Sequence, residues 1–345
     1  MLKTLVFSAL LIASTISAGA DPSQDAYRSG LKSAKAGDLK QATQQFEKAA
    51  KLNPSNFLAL FDLGGAYEAL HQPDQALPCY LKAVAAKPEF AEAEVEVATL
   101  YMLHKKDLDG ALAHYKKAIL QRRPYVDSRF PEPRTRGQAL LNVGVIYAEK
   151  QQVGVAVGVA RSLLAHPAAT KSKNVNVLLQ RCEAGLAKNM SARDYASELK
   201  ALDAQLNSNP RQALAAYEAF QKKHKDLGTA LDQWQFFDGI GLACAMTGQM
   251  ERARIYFEKA SKFGEGLEYG KWQESVFNQA CALASTGHAE PALKHLDTVL
   301  WIDAVTRFDP KGKAKRYLEK IPKDDSLKSL RGTKELQQLL ERYKH

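Results

Sequence analysis

A unit of 34 residues is written twice between residues 23 and 90, and this repetition constrains the fold more than any other feature of the chain. Small, aromatic and proline residues recur at that one offset, in the pairs Gly30 and Gly64, Ala42 and Ala76, Phe46 and Tyr80, Ala49 and Ala83, and Pro54 and Pro88. A fixed period of this length is typical of stacked structural repeats. Such a chain is expected to fold as a linear array in which each unit contacts its neighbours.

Each unit contains two stretches with helical spacing of apolar residues. In the second unit these stretches are Phe57–Ala69 and Gln75–Lys87, separated by a polar break. Pro73 fits the first turn of the second stretch, and Pro88 ends it. The sequence therefore predicts a helix–turn–helix unit, with small residues where the two backbones approach and aromatic residues in the space between them.

These positions resemble the tetratricopeptide repeat family. That family has a small residue late in the first helix, an aromatic residue one turn later, an Ala-x-x-x-aromatic-x-x-Ala run in the second helix, and a closing proline. The second unit matches at Gly64, Tyr67, Ala76, Tyr80, Ala83 and Pro88. The first unit departs only at Ser33, where the aromatic residue would stand. The resemblance implies an all-α fold, a right-handed superhelical solenoid of such repeats, and is nearly silent about the partner.

The repeat pattern continues with decreasing fidelity. Four repeats are predicted over residues 21–168; the third has one residue inserted near Asp107–Gly110, and the second helix of the degenerate fourth lacks an aromatic residue. Residues 169–190 are predicted to form a connecting helix, and residues 191–345 a second, tetratricopeptide-like array. A final amphipathic helix is expected to cap this array, since an uncapped last repeat would expose an apolar face. Its apolar residues are Leu336, Leu339, Leu340 and Tyr343.

Residues 1–20 have the pattern of a signal peptide. Lys3 gives a basic start, residues 5–16 are apolar, and Ala18-Gly19-Ala20 is a small-x-small cleavage site. The apolar run is short for a bilayer span, although an N-terminal anchor helix is the alternative. Cleavage after Ala20 predicts a periplasmic or secreted protein of 325 residues (345 minus 20). No transmembrane segment is predicted after cleavage.

The chain has a formal charge of +10, and its basic residues are concentrated in two segments. One is residues 122–136, whose prolines predict a loop as far as Arg134. The other is the basic C-terminal tail, residues 311–344, with 11 Lys or Arg against 5 Asp or Glu. Either segment could attract an anionic envelope polymer or a membrane surface. Solvated faces are the simpler interpretation. No nucleic-acid reader motif is present, so no nucleic-acid partner is predicted.

No catalytic or metal-binding motif stands out from the sequence, which predicts no enzyme activity, no cofactor and no metal site. The four cysteines after residue 20 form no Cys-x-x-Cys pair and fit no zinc spacing. Cys244 and Cys281 fall on the first helices of consecutive late repeats. They are either joined in a disulfide, as an oxidising compartment would allow, or buried as free thiols.

A binding surface is the remaining candidate site. In the tetratricopeptide repeat family the first helices of successive repeats line a concave groove that binds a peptide. The resemblance assigns one face of each first helix to this groove, with residues Tyr27, Leu31, Phe61, Asp62, Glu92, Val95, Glu96, Thr99, Leu141, Asn142 and Val145. Asn278 occupies the place of Asn142 in a later repeat. An Asn there often holds the backbone of a bound peptide in this family, and its amide both donates and accepts hydrogen bonds. The alternatives are a simple surface Asn and aromatic residues buried by neighbouring repeats.

The predicted groove is apolar with an acidic strip, which favours a protein or peptide segment with apolar anchors and some positive charge. Chaperone-binding members of the family hold a C-terminal carboxylate with a basic clamp. That clamp is absent here, where the matching positions are Tyr27, Leu31, Asp62, Glu92 and Glu96. We therefore interpret the chain as an exported bacterial scaffold that binds another protein, with its oligomeric state open.

Overall fold

The computed structural model describes residues 21–121, 132–164, 173–191, 194–206, 208–306 and 316–344. The predicted signal peptide, residues 122–131 of the predicted basic loop and residues 311–315 of the tail lie outside these ranges. The described residues form seventeen α-helices and no strand. The all-α, helical repeat fold predicted from the sequence is confirmed.

The helices follow one another along the chain with short connections. Their bounds are α1 Pro22–Lys35, α2 Leu39–Leu52, α3 Phe57–Ala69, α4 Pro73–Ala86, α5 Ala91–Leu100, α6 Leu108–Leu120, α7 Glu132–Glu149, α8 Val153–Leu164, α9 Lys173–Ser191, α10 Ala196–Leu206, α11 Pro210–Lys223, α12 Ala230–Met246, α13 Met250–Gly264, α14 Tyr269–Ser285, α15 Ala289–Val305, α16 Arg316–Lys320 and α17 Lys334–Tyr343. A π-helical turn, Tyr101–Lys105, follows α5, and two 3-10 turns, Ile321–Lys323 and Asp325–Leu327, lie between α16 and α17.

The chain divides into two compact units, Met1–Ala139 (unit 1) and Leu140–His345 (unit 2), with the boundary inside α7. In unit 1, α1 to α6 each pack on the next helix along the chain. In unit 2, α10 to α15 do the same, while α8 packs on α9. Packing between neighbours in sequence is the organisation of a repeat solenoid. The domain bounds at residues 168 and 190 stay predictions.

A glycine of the first helix faces an aromatic ring of the second helix in three repeats. The pairs are Gly30 with Phe46, Gly64 with Tyr80, and Gly241 with Phe257. A Cβ atom added to these glycines would lie 2.6, 2.7 and 2.7 Å from the respective ring, so a larger residue does not fit. In the degenerate fourth repeat α8 supplies no aromatic residue, and Leu178 of α9 lies against Gly144 instead.

The turn between the two helices closes in the same way in five repeats. A residue with positive φ ends the first helix, and the next N–H donates to the carbonyl five residues earlier, as in a Schellman motif. These bonds run from Asp38 to Ser33, Gln72 to Tyr67, Gln152 to Tyr147, Gln249 to Cys244 and His288 to Leu283. In four of these turns the donor residue is also the N-cap of the helix that follows, which is α2, α4, α13 or α15. One short turn therefore serves both helix ends.

The third repeat closes its turn one residue later. The N–H of Asp107 donates to the carbonyl of Tyr101, six residues earlier, at 3.1 Å. The π-helical turn Tyr101–Lys105 begins at Tyr101 and ends two residues before Asp107. Because a π turn holds one more residue than an α turn, it absorbs the insertion. The extra residue is therefore in this turn, which ends two residues before the segment Asp107–Gly110 near which the sequence predicted the insertion.

The structure also bears on two predicted segments, the basic loop and the C-terminal cap. Helix α7 begins at Glu132, so residues 132–136 are helical and the predicted loop ends earlier than Arg134. Pro133 is in the first turn of α7, where its missing N–H removes no helical hydrogen bond. At the C-terminus, α17 packs on α15, and the hydroxyl of Tyr343 donates to Asp297 Oδ1 at 2.7 Å. The predicted cap is thus formed.

Candidate functional site

Two predicted groove residues, one in α1 and one in α3, form a polar contact between successive first helices. The hydroxyl of Tyr27 donates to Asp62 Oδ2 at 2.7 Å, and both side chains are buried. Leu31, one turn after Tyr27, is half-buried. Tyr27 and Asp62 therefore join α1 to α3 and leave little surface for a ligand.

Phe61 and Val95 are buried, although the sequence predicted that they face an open groove. Phe61 is 6% exposed, and its ring centroid lies 5.3 Å from that of Tyr80 and 4.8 Å from that of Phe90. Val95 is 5% exposed. The expected exposure of these two residues is not observed, because neighbouring helices cover their apolar side chains.

The remaining predicted residues of α5 are mostly engaged within unit 1. Glu92 is buried and accepts a hydrogen bond from the hydroxyl of Thr135 at 3.2 Å. The pocket beside it has a volume of about 10 Å³, enough for one water molecule. Thr99 is buried and shares a 3.0 Å hydrogen bond with the hydroxyl of Tyr115. Glu96 is half-buried and keeps accessible surface.

The predicted site residues of unit 2 are more accessible. Leu141, Asn142 and Val145 of α7 are half-buried, and so is Asn278 of α14. Among the twelve predicted groove residues, only these four together with Leu31 and Glu96 keep appreciable surface. Their role in binding stays a prediction.

Asn278 belongs to a hydrogen-bonded network that connects α12 to α14. The side-chain N–H of Asn278 donates to Asp238 Oδ1 at 3.5 Å, and the hydroxyl of Ser275 donates to the same oxygen at 2.9 Å. The indole N–H of Trp234 donates to Ser275 Oγ at 2.8 Å. Asp238 is only 8% exposed. Two successive first helices are therefore joined through one buried carboxyl group.

Burial raises the pKa of Asp238 to about 7. The hydrogen bonds from Ser275 and Asn278 oppose this shift, while the charges of Glu274 and Asp203 add to it. An ionised carboxylate is disfavoured in a buried setting near like charges. The protonated carboxyl is therefore favoured to a much higher pH than in an exposed aspartate.

The sequence interpretation missed Asp238, although a signal for it exists. Asp238 stands three residues before Gly241, and the matching positions of earlier repeats hold Tyr27, Phe61 and Leu141. A carboxylate in a position that other repeats fill with an apolar residue is a mark of special local chemistry.

Within the described ranges, no group of three or more His, Cys, Asp or Glu side chains is arranged to hold a metal ion. The four cysteines are free thiols. Cys244 lies in an apolar cluster, whereas the thiol of Cys281 contacts Asp324 at 4.0 Å, so the disulfide alternative is not observed. None of the helices described is both long and apolar enough to cross a membrane.

Several charges of the basic tail are engaged in contacts within the chain. Lys320 lies over the ring of Phe277, 4.0 Å from its centroid. The other such contacts pair Arg331 with Asp325, Arg342 with Asp297 and Lys344 with Glu341. These cations are less available for an anionic polymer than the sequence suggested.

Comparison with known families gives the identity of the repeats. Family models described as Tetratricopeptide repeat match residues 33–96 and also residues 66–127 and 199–266. The chain is a tetratricopeptide repeat protein. The matched ranges include α10 to α13 of unit 2 as well as the two founding repeats. Tetratricopeptide repeat proteins are typically non-catalytic scaffolds for interaction with other proteins.

Solved structures resemble this tetratricopeptide repeat protein only distantly. A tetratricopeptide repeat protein from Parabacteroides merdae has 14% identity and a TM-score of 0.40, covering 87% of this chain and 98% of its own. PilW, a type IV pilus biogenesis factor, has 17% identity and a TM-score of 0.34, covering 89% and 97%. MamA has 17% identity and a TM-score of 0.33, covering 71% and 93%. Such likeness carries no argument about function. No curated protein matches the chain.

Proposed function

We propose that this protein is an exported scaffold without catalytic activity, and that it binds a segment of another protein on the first helices of unit 2. The surface concerned, the acidic first-helix face, consists of the side chains of α10, α12 and α14 around Asp203, Asp238, Glu274 and Asn278. A tetratricopeptide repeat fold supports interaction with a protein or peptide as the general role.

The observation that carries this proposal is the state of the Asn278 amide. Its N–H donates to Asp238 Oδ1 in a long, 3.5 Å hydrogen bond, which favours one orientation of the side chain. Its carbonyl oxygen accepts no hydrogen bond from any described residue, and the side chain is half-exposed. An oriented amide oxygen on an accessible face is ready to accept a hydrogen bond from a peptide N–H.

The proposal places the binding surface in unit 2 because the predicted groove residues of unit 1 have less accessible surface. The buried Tyr27, Phe61 and Asp62 hold neighbouring helices together, and of the predicted groove residues in unit 1 only Leu31 and Glu96 present surface.

A selection from displayed random peptides tests the binding role. The bait is the chain from Asp21 to His345, and selected peptides are measured against the wild type and Asn278→Ala. Loss of one hydrogen bond is expected to weaken binding by roughly tenfold. Glu290→Gln is the matched control, since Glu290 is exposed in the first turn of α15, outside the acidic first-helix face. Equal affinity for the wild type and Asn278→Ala would contradict the proposed site.

Export is tested separately by expressing the chain with and without residues 2–20 in a bacterial host. The full chain is expected in the periplasmic fraction or the medium with an N-terminus at Asp21, because residues 1–20 have the signal pattern. Retention of both forms in the cytoplasm would contradict export and leave the binding role intact.

A further inference from the structure

We infer that unit 2 is closed by a contact between its fourth and its last repeat, and that helix α8 opens together with the adjoining ends of α14 and α15. The fourth repeat is α7 with α8, and the last repeat is α14 with α15. This closing contact is formed by Tyr147, Gly154 and Gly158 with Leu267, Trp301 and Thr306. It goes beyond the proposed function, because it shares no residue with the acidic first-helix face.

Helix α8 is apolar on all sides. Its residues, Val153–Leu164, are valine, alanine, glycine and leucine apart from Arg161 and Ser162. Nine of these twelve residues are buried, whereas α2, a second helix of unit 1, has four buried residues among fourteen. A helix that is hydrophobic all round is stable where other elements cover it. In unit 2, α9, α14 and α15 all pack on α8.

Two glycines allow the backbone of α8 to approach the last repeat. Gly154 and Gly158 are four residues apart and share one face of the helix. A Cβ atom on Gly154 would overlap the carbonyl oxygen of Leu267, and one on Gly158 would lie 2.9 Å from Thr306. Leu267 precedes α14 and Thr306 follows α15. A side chain at Gly154 would therefore force α8 away from the start of α14.

Polar contacts join the same two parts of the chain. The indole N–H of Trp301 on α15 donates to the hydroxyl of Tyr147 on α7 at 2.7 Å, across 154 residues of sequence. Both side chains are buried. The side-chain N–H of Asn189, in α9, donates to the carbonyl of Gly266 at 2.8 Å, next to Leu267. Contacts from α7, α8 and α9 thus all reach α15 or the segment that leads into α14.

The closing contact changes how the ends of unit 2 are expected to open. In an open repeat array each repeat contacts its neighbours, so one end frays without disturbing the other. The fourth and last repeats are far apart in sequence, yet the closing contact removes apolar surface of both from water. Separating them would expose the valines of α8 together with Trp301, which is unfavourable for each apolar group exposed. Neither repeat is then a free end.

Hydrogen exchange of the full chain tests this coupling by comparing the wild type with Gly154→Ala. The added methyl group is expected to speed exchange by at least roughly tenfold in α8, at the start of α14 and at the end of α15. Helix α11, which lies between the two repeats in sequence, is expected to be unchanged. Gly185→Ala in α9 is the matched control, since its Cβ would lie 3.6 Å from Val153, an ordinary contact. It should leave the exchange of α14 and α15 at the wild-type rate.

The inference is overturned if Gly154→Ala speeds exchange in α8 and α9 alone. A double-mutant cycle keeps the test valid if this variant does not fold. Tyr147→Phe and Trp301→Phe each remove one partner of the same hydrogen bond. Each is expected to raise the equilibrium constant for unfolding in urea by roughly fivefold, and the double variant by less than the product of the two effects.

Independent effects of Tyr147→Phe and Trp301→Phe would show that the two repeats are not in contact, and would also overturn the inference. Neither measurement uses a ligand. Failure of the closing contact therefore leaves the proposed binding role intact, and failure of the binding role leaves the closing contact intact.

Discussion

The hydroxyl of Ser275 lies 2.9 Å from Oδ1 of Asp238, and this hydrogen bond joins the first helices of two successive repeats. Asp238 occupies a position that is held by Tyr27 or Phe61 in other repeats. Packing alone would favour an apolar residue there, since a buried charge has to be desolvated. Asp238 therefore links stability and ionisation at one position.

Asp238 is expected to make the stability of unit 2 depend on pH. Its pKa is about 7 in the folded chain and about 3.9 in an unfolded chain. Between these values the folded state binds the additional proton, so stability is fully present below about pH 4 and is lost as the pH rises to about 7. The loss amounts to about 4 kcal/mol at most.

Urea unfolding at several pH values, followed by tryptophan fluorescence, measures this dependence, since Trp234, Trp272 and Trp301 are all in unit 2. Asp238→Asn keeps an acceptor for Ser275 and is expected to remove this component of the slope. An identical pH profile for the wild type and Asp238→Asn would show that Asp238 titrates normally.

Substitution by alanine is expected to change stability in opposite directions at two adjacent glycines of α3. Gly64→Ala places a methyl group 2.7 Å from the ring of Tyr80 and is expected to destabilise unit 1 by about 1–3 kcal/mol. A methyl group on Gly65 would lie 3.7 Å from the Tyr80 hydroxyl, an ordinary contact. Gly65→Ala is therefore expected to be neutral or to stabilise the helix by up to about 1 kcal/mol. Thermal unfolding by circular dichroism compares them, and equal effects would contradict the close approach at Gly64.

Deleting Leu103 is expected to be tolerated. Leu103 is 50% exposed within the π-helical turn, and its removal would give the third repeat the turn closure of the other five. Stability is expected to change by less than about 1 kcal/mol. Deletion of the exposed Lys82 in α4 is the control, since it rotates the rest of that helix by about 100° and misplaces Ala83. Equal loss of helicity in the two deletion variants would contradict the assignment of the insertion.

Four reactive thiols are expected when the protein is unfolded without a reducing agent, because all four cysteines are free. In the folded protein Cys79 is expected to react first, since the other three are buried, but slowly, since burial raises its pKa to about 11. Cys79→Ser identifies the contribution of that thiol. Only two reactive thiols in the unfolded protein, with Cys244 and Cys281 unreactive, would indicate the disulfide.

Local sequence signals predicted most of the helices. The segment Phe57–Ala69 is helical over its full predicted range, and Pro73 begins α4 as expected. The small residue at Gly64 and the ring of Tyr80 meet as the repeat pattern predicts. These features depend on spacing along the chain, which a sequence displays directly.

Exposure on the first-helix face could not be predicted in the same way. Phe61 is covered by Phe90, which precedes the next repeat, and the helical period of α3 does not show that contact. The π-helical turn could not be predicted either, since an inserted residue can be absorbed anywhere between two fixed anchors. Both depend on how neighbouring segments fit together.

Hydrogen exchange of the full chain, with and without a peptide selected by the wild type, tests the central claim most directly. Slower exchange is expected in α12 and α14, where Asp238 and Asn278 lie, with α13 and α15 unchanged. The same peptide should leave the exchange of Asn278→Ala less affected. Protection confined to α13 and α15, or to unit 1, would contradict binding on the acidic first-helix face.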